Sequence, residues 1–193
     1  MSAIFSWKPS LVGPRYEVRV DSAGAEATRG SKTRKVRFSS VTGGRLLELY
    51  MRTSSVSLVL MHKGKDGVTK FVINHGGRVS DASYDENAAA FVAASAEILE
   101  YLAKARPETQ ISLGGGTGVR ATMAMLGISM AVMGALLVII PLVQGDVGFE
   151  DAMMGLMAVV FAASGVGLAI RYNPFAKLET MSPEDLARLL RSQ

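Results

Sequence analysis

Residues 121–143 ("ATMAMLGISMAVMGALLVIIPLV") contain no charged side chain, and neither do residues 152–170 ("AMMGLMAVVFAASGVGLAI"). The first stretch has 23 residues and the second 19, with only "QGDVGFED" between them. At a rise of about 1.5 Å per residue, the first spans roughly 35 Å as a helix, enough for a hydrocarbon core of about 30 Å. Helices of this length in a water-soluble core carry a polar face, and neither stretch has one. The pair predicts a transmembrane helical hairpin over residues 121–170. The hairpin accounts for an apolar content of 49% and a mean hydropathy of +0.26, both high for a water-soluble chain.

A glycine-rich run, "SLGGGTGVR", leads into the first stretch. A dinucleotide fingerprint needs G-x-G-x-x-G between a strand and a partly polar helix, and a phosphate-binding P-loop needs Gly-Lys-Ser/Thr at its end. Here the glycines fall at 114, 115, 116 and 118, position 119 is valine, and no Gly-Lys-Ser/Thr follows. The run therefore reads as a flexible joint over residues 111–120.

Charge is sorted along the chain. Residues 1–120 hold 17 Lys and Arg against 11 Asp and Glu. Lys104, Arg106 and Arg120 precede the first span, and Arg171 and Lys177 follow the second. The connection carries only acids: Asp146, Glu150 and Asp151. Basic residues near spans mark the cytoplasmic side. The expectation is an integral protein, of the bacterial inner membrane, with both termini cytoplasmic and the short acidic loop outside. No cleavable signal peptide is expected, because Lys8, Pro9 and Pro14 interrupt the N-terminal residues early.

Residues 1–15 carry no clear period and are expected to be irregular. Ile4, Phe5 and Trp7 beside Lys8 suit packing on the chain's own domain or a membrane interface. From Tyr16 the pattern turns to β. "YEVRV" alternates apolar and charged residues, and "KVRFSSV", "RLLELYMR", "SVSLVLMHK" and "VTKFVINH" follow. The segment "SAGAEATRGSKTR" reads as a turn, "RLLELYMR" fits a strand or a short helix, and "GKDG" reads as a hairpin turn. About five strands in meander order result. A helix follows, with Ser83 and Glu86 spaced as a capping box and an apolar stripe from Ala88 to Leu102. A meander closed by a helix resembles the PH-like arrangement, an analogy of fold that carries no function. After the hairpin, Ser182, Pro183, Glu184 and Asp185 open a short amphipathic helix. The predicted class is α+β: residues 16–110 form a small antiparallel β-meander domain with a packed helix, and residues 171–193 a cytosolic tail.

Catalytic chemistry is thinly represented. With no cysteine, disulfides, thiolate zinc sites and cysteine nucleophiles are excluded. His62 and His75 are the only histidines, no third ligand stands at a metal-site spacing, and both are expected to be solvated at strand ends. No HExxH or G-x-S-x-G motif occurs. The expectation is a non-enzyme without cofactor or metal.

Two groups of residues suggest contacts instead. Arg29, Lys32, Arg34, Lys35 and Arg37 crowd into nine positions and read as a basic surface for anionic lipid headgroups or an acidic protein partner. A solvated loop accounts for the same residues, and nucleic acid is disfavoured. Gly127 with Ala131, Ala158 with Ala162, and Gly165 with Ala169 are spaced four apart, which lets helices approach closely in lipid. No ionisable side chain lies within either span, which argues against an ion pathway. The expected partners are the bilayer and other membrane subunits or further copies of the chain. These features read as an anchored accessory or scaffolding protein. An oligomeric pore, a tethered enzyme and a tethered nucleic-acid binder are the alternatives.

Overall fold

The computed structural model describes residues 2–9, 14–50, 54–64, 67–83, 85–114, 117–144 and 149–192. The chain is α+β, with four α-helices and nine strands among these residues. It divides into two compact units. One comprises residues 1–114 together with 178–193, and the other residues 115–177.

In the first unit, strands β1 (Ala3–Trp7), β2 (Tyr16–Val20), β3 (Gly24–Arg29) and β4 (Lys32–Arg37) form one antiparallel sheet in that order. Strands β5 (Val41–Tyr50), β6 (Ser54–Gly64) and β7 (Gly67–His75) form a second antiparallel run. The second sheet is extended by β8 (Ile111–Leu113), parallel to β5, and by β9 (Thr180–Met181), giving the order β7-β6-β5-β8-β9. The expectation of one meander of about five strands is therefore corrected to two sheets.

Three local expectations change with it. Residues 3–7 are a strand, because Ala3–Trp7 pairs in full register with Tyr16–Val20. Trp7 is fully buried, stacks on Tyr16 at 5.2 Å, meets Phe91 edge-on at 5.7 Å, and donates from its indole N–H to the Asn74 carbonyl oxygen at 3.0 Å. The segment read as a turn is the β3–β4 hairpin. Its true turn is Gly30-Ser31, where Gly30 at φ +60° supplies the positive φ that a two-residue hairpin loop demands. Residues 111–113 of the expected joint are strand, so the joint begins no earlier than Gly114. The other site of ambiguity, "RLLELYMR", is strand through Tyr50. Residues 65–66 of the expected "GKDG" turn, Gly115 and Gly116 of the glycine run, and residues 145–148 of the acidic connection lie outside the described residues.

Helix α1 (Glu86–Ala105) closes this unit. Its stripe of Ala88, Phe91, Val92, Ser95, Ile98, Leu99 and Leu102 is buried, as a 3.6-residue period requires. The cap differs from the expected Ser83–Glu86 box: Asp85 accepts from the Asn87 backbone N–H at 2.9 Å. Asp85 immediately precedes the helix, so its short side chain reaches an unpaired amide of the first turn. Helix α4 (Pro183–Arg191) packs on α1, burying Pro183, Leu186, Ala187 and Leu190. Ser182 caps it, accepting from the Asp185 N–H at 3.1 Å. Arg191 reaches Glu100 and Glu97 on α1. These ion pairs are half exposed and contribute about 0–1 kcal/mol each, whereas fully burying a leucine contributes about 1.5–3 kcal/mol. Apolar burial therefore holds the tail.

Helices α2 (Thr117–Gln144) and α3 (Phe149–Arg171) form the second unit. Both are long and apolar enough to cross a membrane. The unit is an insertion in the first one: the chain leaves the second sheet after β8 and rejoins it at β9, beside β8.

Replacing Leu186 by Ala should lower the stability of the first unit by about 2–5 kcal/mol. Replacing Arg191 by Ala should cost no more than about 1 kcal/mol. Trp7 is the only tryptophan, so denaturant titration followed by its fluorescence reads both.

Candidate functional site

Two surfaces stand out, one on each unit. In the helical unit, α2 and α3 meet along a seam of small residues. A methyl group on Gly127 would lie 2.6 Å from the Gly165 carbonyl oxygen and 2.7 Å from the Ala169 nitrogen. One on Gly165 would lie 2.5 Å from the Gly127 carbonyl oxygen and 2.6 Å from the Ala131 nitrogen. Gly134, not singled out from sequence, approaches Ala158 and Ala162: a methyl there would meet the Ala158 carbonyl oxygen at 2.7 Å. Positions 127, 131 and 134 of one helix thus face 169, 165, 162 and 158 of the other, so the helices run antiparallel. Gly134 was legible as the next turn of the same stripe, seven residues after Gly127. At the open end of the pair, Arg120 donates to the Ala176 carbonyl oxygen at 3.0 Å.

Outside the seam the exposed side chains of residues 121–140 and 153–170 are apolar except Thr122, Ser129 and Ser164, and the Thr122 and Ser164 hydroxyls donate back to the Gly118 and Val160 carbonyl oxygens. Only 17% of Arg120–Ile140 and 11% of Met153–Arg171 is buried within the chain. Met125, Leu137, Met157 and Val160 are all more than half exposed. Contiguous apolar surface beyond a few hundred Å² marks an interface with lipid or protein.

In the first unit, the five predicted basic residues lie on β3 and β4, and the pleat divides them. Cross-strand neighbours share a face of a sheet. One rung runs Trp7, Tyr16, Arg29, Lys32; the next runs Phe5, Val18, Ala27, Arg34; a third runs Ala3, Val20, Ala25, Val36. Val18, Val20, Ala25, Ala27 and Val36 are buried, so this is the inner face, and Arg29, Lys32 and Arg34 occupy one corner of it. The Arg29 guanidinium lies over the Tyr16 ring at 5.3 Å. Glu26, directly opposite Lys35, pairs with it at 3.0 Å on the outer face, where Arg37 also lies. The run is therefore two surfaces: an inner trio with no ion pair among the described residues and an outer pair of which Lys35 is paired with Glu26.

The histidines do not meet. His62 lies opposite Thr69 and His75 opposite Val56, at different ends of the β6–β7 ladder. The Thr69 hydroxyl oxygen sits 3.1 Å from His62 Nε2. His75 corrects the expectation of a solvated ring. The β7 pleat turns Phe71, Ile73 and His75 inward, and the imidazole is 2% exposed and stacked on Phe91 at 6.0 Å. Its Nε2 stands 3.7 Å from Asp85 Oδ2. Burial lowers its pKa from the ordinary 6.5, partly offset by the charges of Asp85 and Asp81. Sequence alternation held the signal, since His75 continues the 71, 73 series.

Gly165→Ala should destabilise the helical pair by about 1–3 kcal/mol through overpacking against backbone. Gly155→Ala should not, because nothing lies within 4 Å of the added methyl. Thermal midpoints of the two variants in detergent micelles separate these cases. Folded His75 holds its proton more weakly than the unfolded residue. Stability of the first unit should therefore be full above pH 6.5 and fall as the pH drops from there toward the lowered folded value. His75→Phe should flatten that slope in a pH series of Trp7 unfolding curves.

No family model matches this chain, and neither a curated protein nor a solved structure matches it, so its function is read from these side chains.

Proposed function

We propose that this chain is a membrane-anchored accessory or scaffolding protein and not an enzyme. Its helical hairpin sits in the bilayer within a complex or oligomer, and its basic domain binds a protein partner or anionic lipid from the cytoplasmic side. The observation that carries this reading is the α2–α3 pair. Its small residues are turned on each other, and large apolar side chains cover what remains. Such a pair exposed to water would lose the hydrophobic contribution of both helices, at roughly 25 cal/mol per Å². In lipid the same surface is matched to its surroundings, and close approach of small residues holds the helices together.

The flanks support a two-span path. Ile111 pairs with Met181 and Ser112 with Thr180, so the two ends of the insertion enter one sheet side by side. A chain that leaves and re-enters the same folded unit returns to the side from which it left. The basic residues Lys104, Arg106, Arg171 and Lys177 around those ends favour the cytoplasmic face, of the inner membrane in a bacterium.

The chain has no cysteine, so single-cysteine labelling reports its topology without background. In intact cells, a membrane-impermeant maleimide should label Asp146→Cys and spare Ser2→Cys and Ser192→Cys. Permeabilised cells should label all three. Release of the protein by alkaline carbonate, or labelling of all three in intact cells, would overturn the proposal. Purification in mild detergent should then bring down a defined assembly, and its composition separates partner subunits from further copies.

A further inference from the structure

We infer that the inner corner of the β3–β4 hairpin is a binding site for a phosphate-bearing ligand, formed by Arg29, Lys32 and Arg34 and excluding Lys35 and Arg37. The three cations open onto a groove of about 330 Å³ whose other walls are Tyr16, Ala27, Val72 and Asn74. This deepens the basic-domain part of the proposed function and rests on it, but not on insertion of the hairpin.

The charge arrangement is the first argument. Arg29 stands directly opposite Lys32, and Arg34 lies on the next rung of the same face. Like charges opposite one another across strands destabilise a sheet. On the outer face the same hairpin relieves this with Glu26, which pairs with Lys35. On the inner face, no carboxylate pairs with the trio among the described residues.

The groove supplies the second argument. Arg29 is held over Tyr16, which itself stacks on buried Trp7, so one guanidinium is fixed before any ligand arrives. Asn74 Oδ1 is buried in the wall without a hydrogen-bond partner among the described residues. Such an amide oxygen has unmet hydrogen-bonding capacity. Two guanidinium forks, an ammonium and the Asn74 side chain line one groove, which is large enough for a phosphate together with the group that bears it. Guanidinium groups bind phosphate bidentately through charge-assisted hydrogen bonds, which fits a phosphomonoester or diphosphate better than a single carboxylate. The phosphate belongs either to a lipid headgroup or to a soluble ligand.

The test uses the full chain in uncharged detergent micelles and titration calorimetry with two probes: inorganic pyrophosphate, and phosphatidic acid doped into the micelles against phosphatidylcholine as control. Saturable binding of at least one probe is expected. Pyrophosphate binding assigns a soluble ligand, and binding of phosphatidic acid alone assigns a headgroup. The paired substitution Lys32→Gln and Arg34→Gln should weaken binding about tenfold or more, as loss of charge-assisted hydrogen bonds implies. Lys35→Gln with Arg37→Gln should change it by less than about twofold. Native Trp7 fluorescence establishes that each variant is folded. If the inner pair fails that check, exposed Lys32→Gln alone carries the comparison. Absence of binding to both probes, or equal weakening by the inner and outer pairs, would overturn the inference. Either result leaves the cysteine-labelling pattern unchanged, so it is distinguishable from failure of the membrane reading.

Discussion

The short pairing of Ile111–Leu113 with Thr180–Met181 governs how the chain is organised. It joins residues on either side of a long apolar insertion, and it places them beside β5 in an otherwise local sheet. Leu113 also donates its backbone N–H to the Glu179 carbonyl oxygen at 2.8 Å, and Gly114 donates to Leu46 at 2.9 Å. The ladder is only a few residues long, and isolated two-stranded contacts of that size are marginal. Its persistence depends on the rest of the first unit. Ile111 is fully buried, and α4, which follows β9 directly, is docked on α1 through Leu186 and Leu190. The clasp is a backbone contact held by apolar burial on both sides of it.

The two units solve the burial problem in opposite ways. In the first, β2 alternates buried and exposed residues along its length, and the core is assembled from Trp7, Phe38, Phe71, Phe91 and the aliphatic face of α1. Large side chains point inward and polar groups outward, as water requires. In the second, glycine and alanine point inward and leucine, methionine and valine outward. That inversion follows when hydrophobic burial contributes nothing between helices and van der Waals contact between close backbones must hold them.

Two polar features of the first unit stand apart from its apolar core. His75 is held neutral beneath α1 by burial, next to the Asp85 that caps the helix. The corner of Arg29, Lys32 and Arg34 is the opposite case: charges retained on an inner face, beside a groove also lined by Val72 and Asn74 of β7. Both stand directly opposite buried core residues, His75 opposite Val56 and Arg29 opposite Tyr16.

Several elements were open to direct reading. The two spans are visible as uncharged runs, because the absence of charge over twenty residues needs no partner to interpret. The stripe on α1 and the Ser182 cap of α4 are likewise local, set by helical period and by unpaired N–H groups of a first turn. What sequence periodicity left undecided depended on contacts distant along the chain. Ala3–Trp7 is a strand only because Tyr16–Val20 lies beside it, and β3 only because β2 and β4 flank it; the alanines and threonines of "GAEATR" have weak preferences of their own. The crowding of Arg29, Lys32, Arg34, Lys35 and Arg37 is evident in one dimension, but its division into two surfaces needed the register of β3 against β4. The amino-acid sequence by itself determined the apolar helices, the Ser182 cap of α4 and the presence of a basic run, since each is settled by residues within one or two turns. Tertiary structure alone decided the first strand's pairing, the return of the tail beside β8 and the division of the basic run into two faces, because these arise from pairing between segments up to seventy residues apart, which no local pattern encodes.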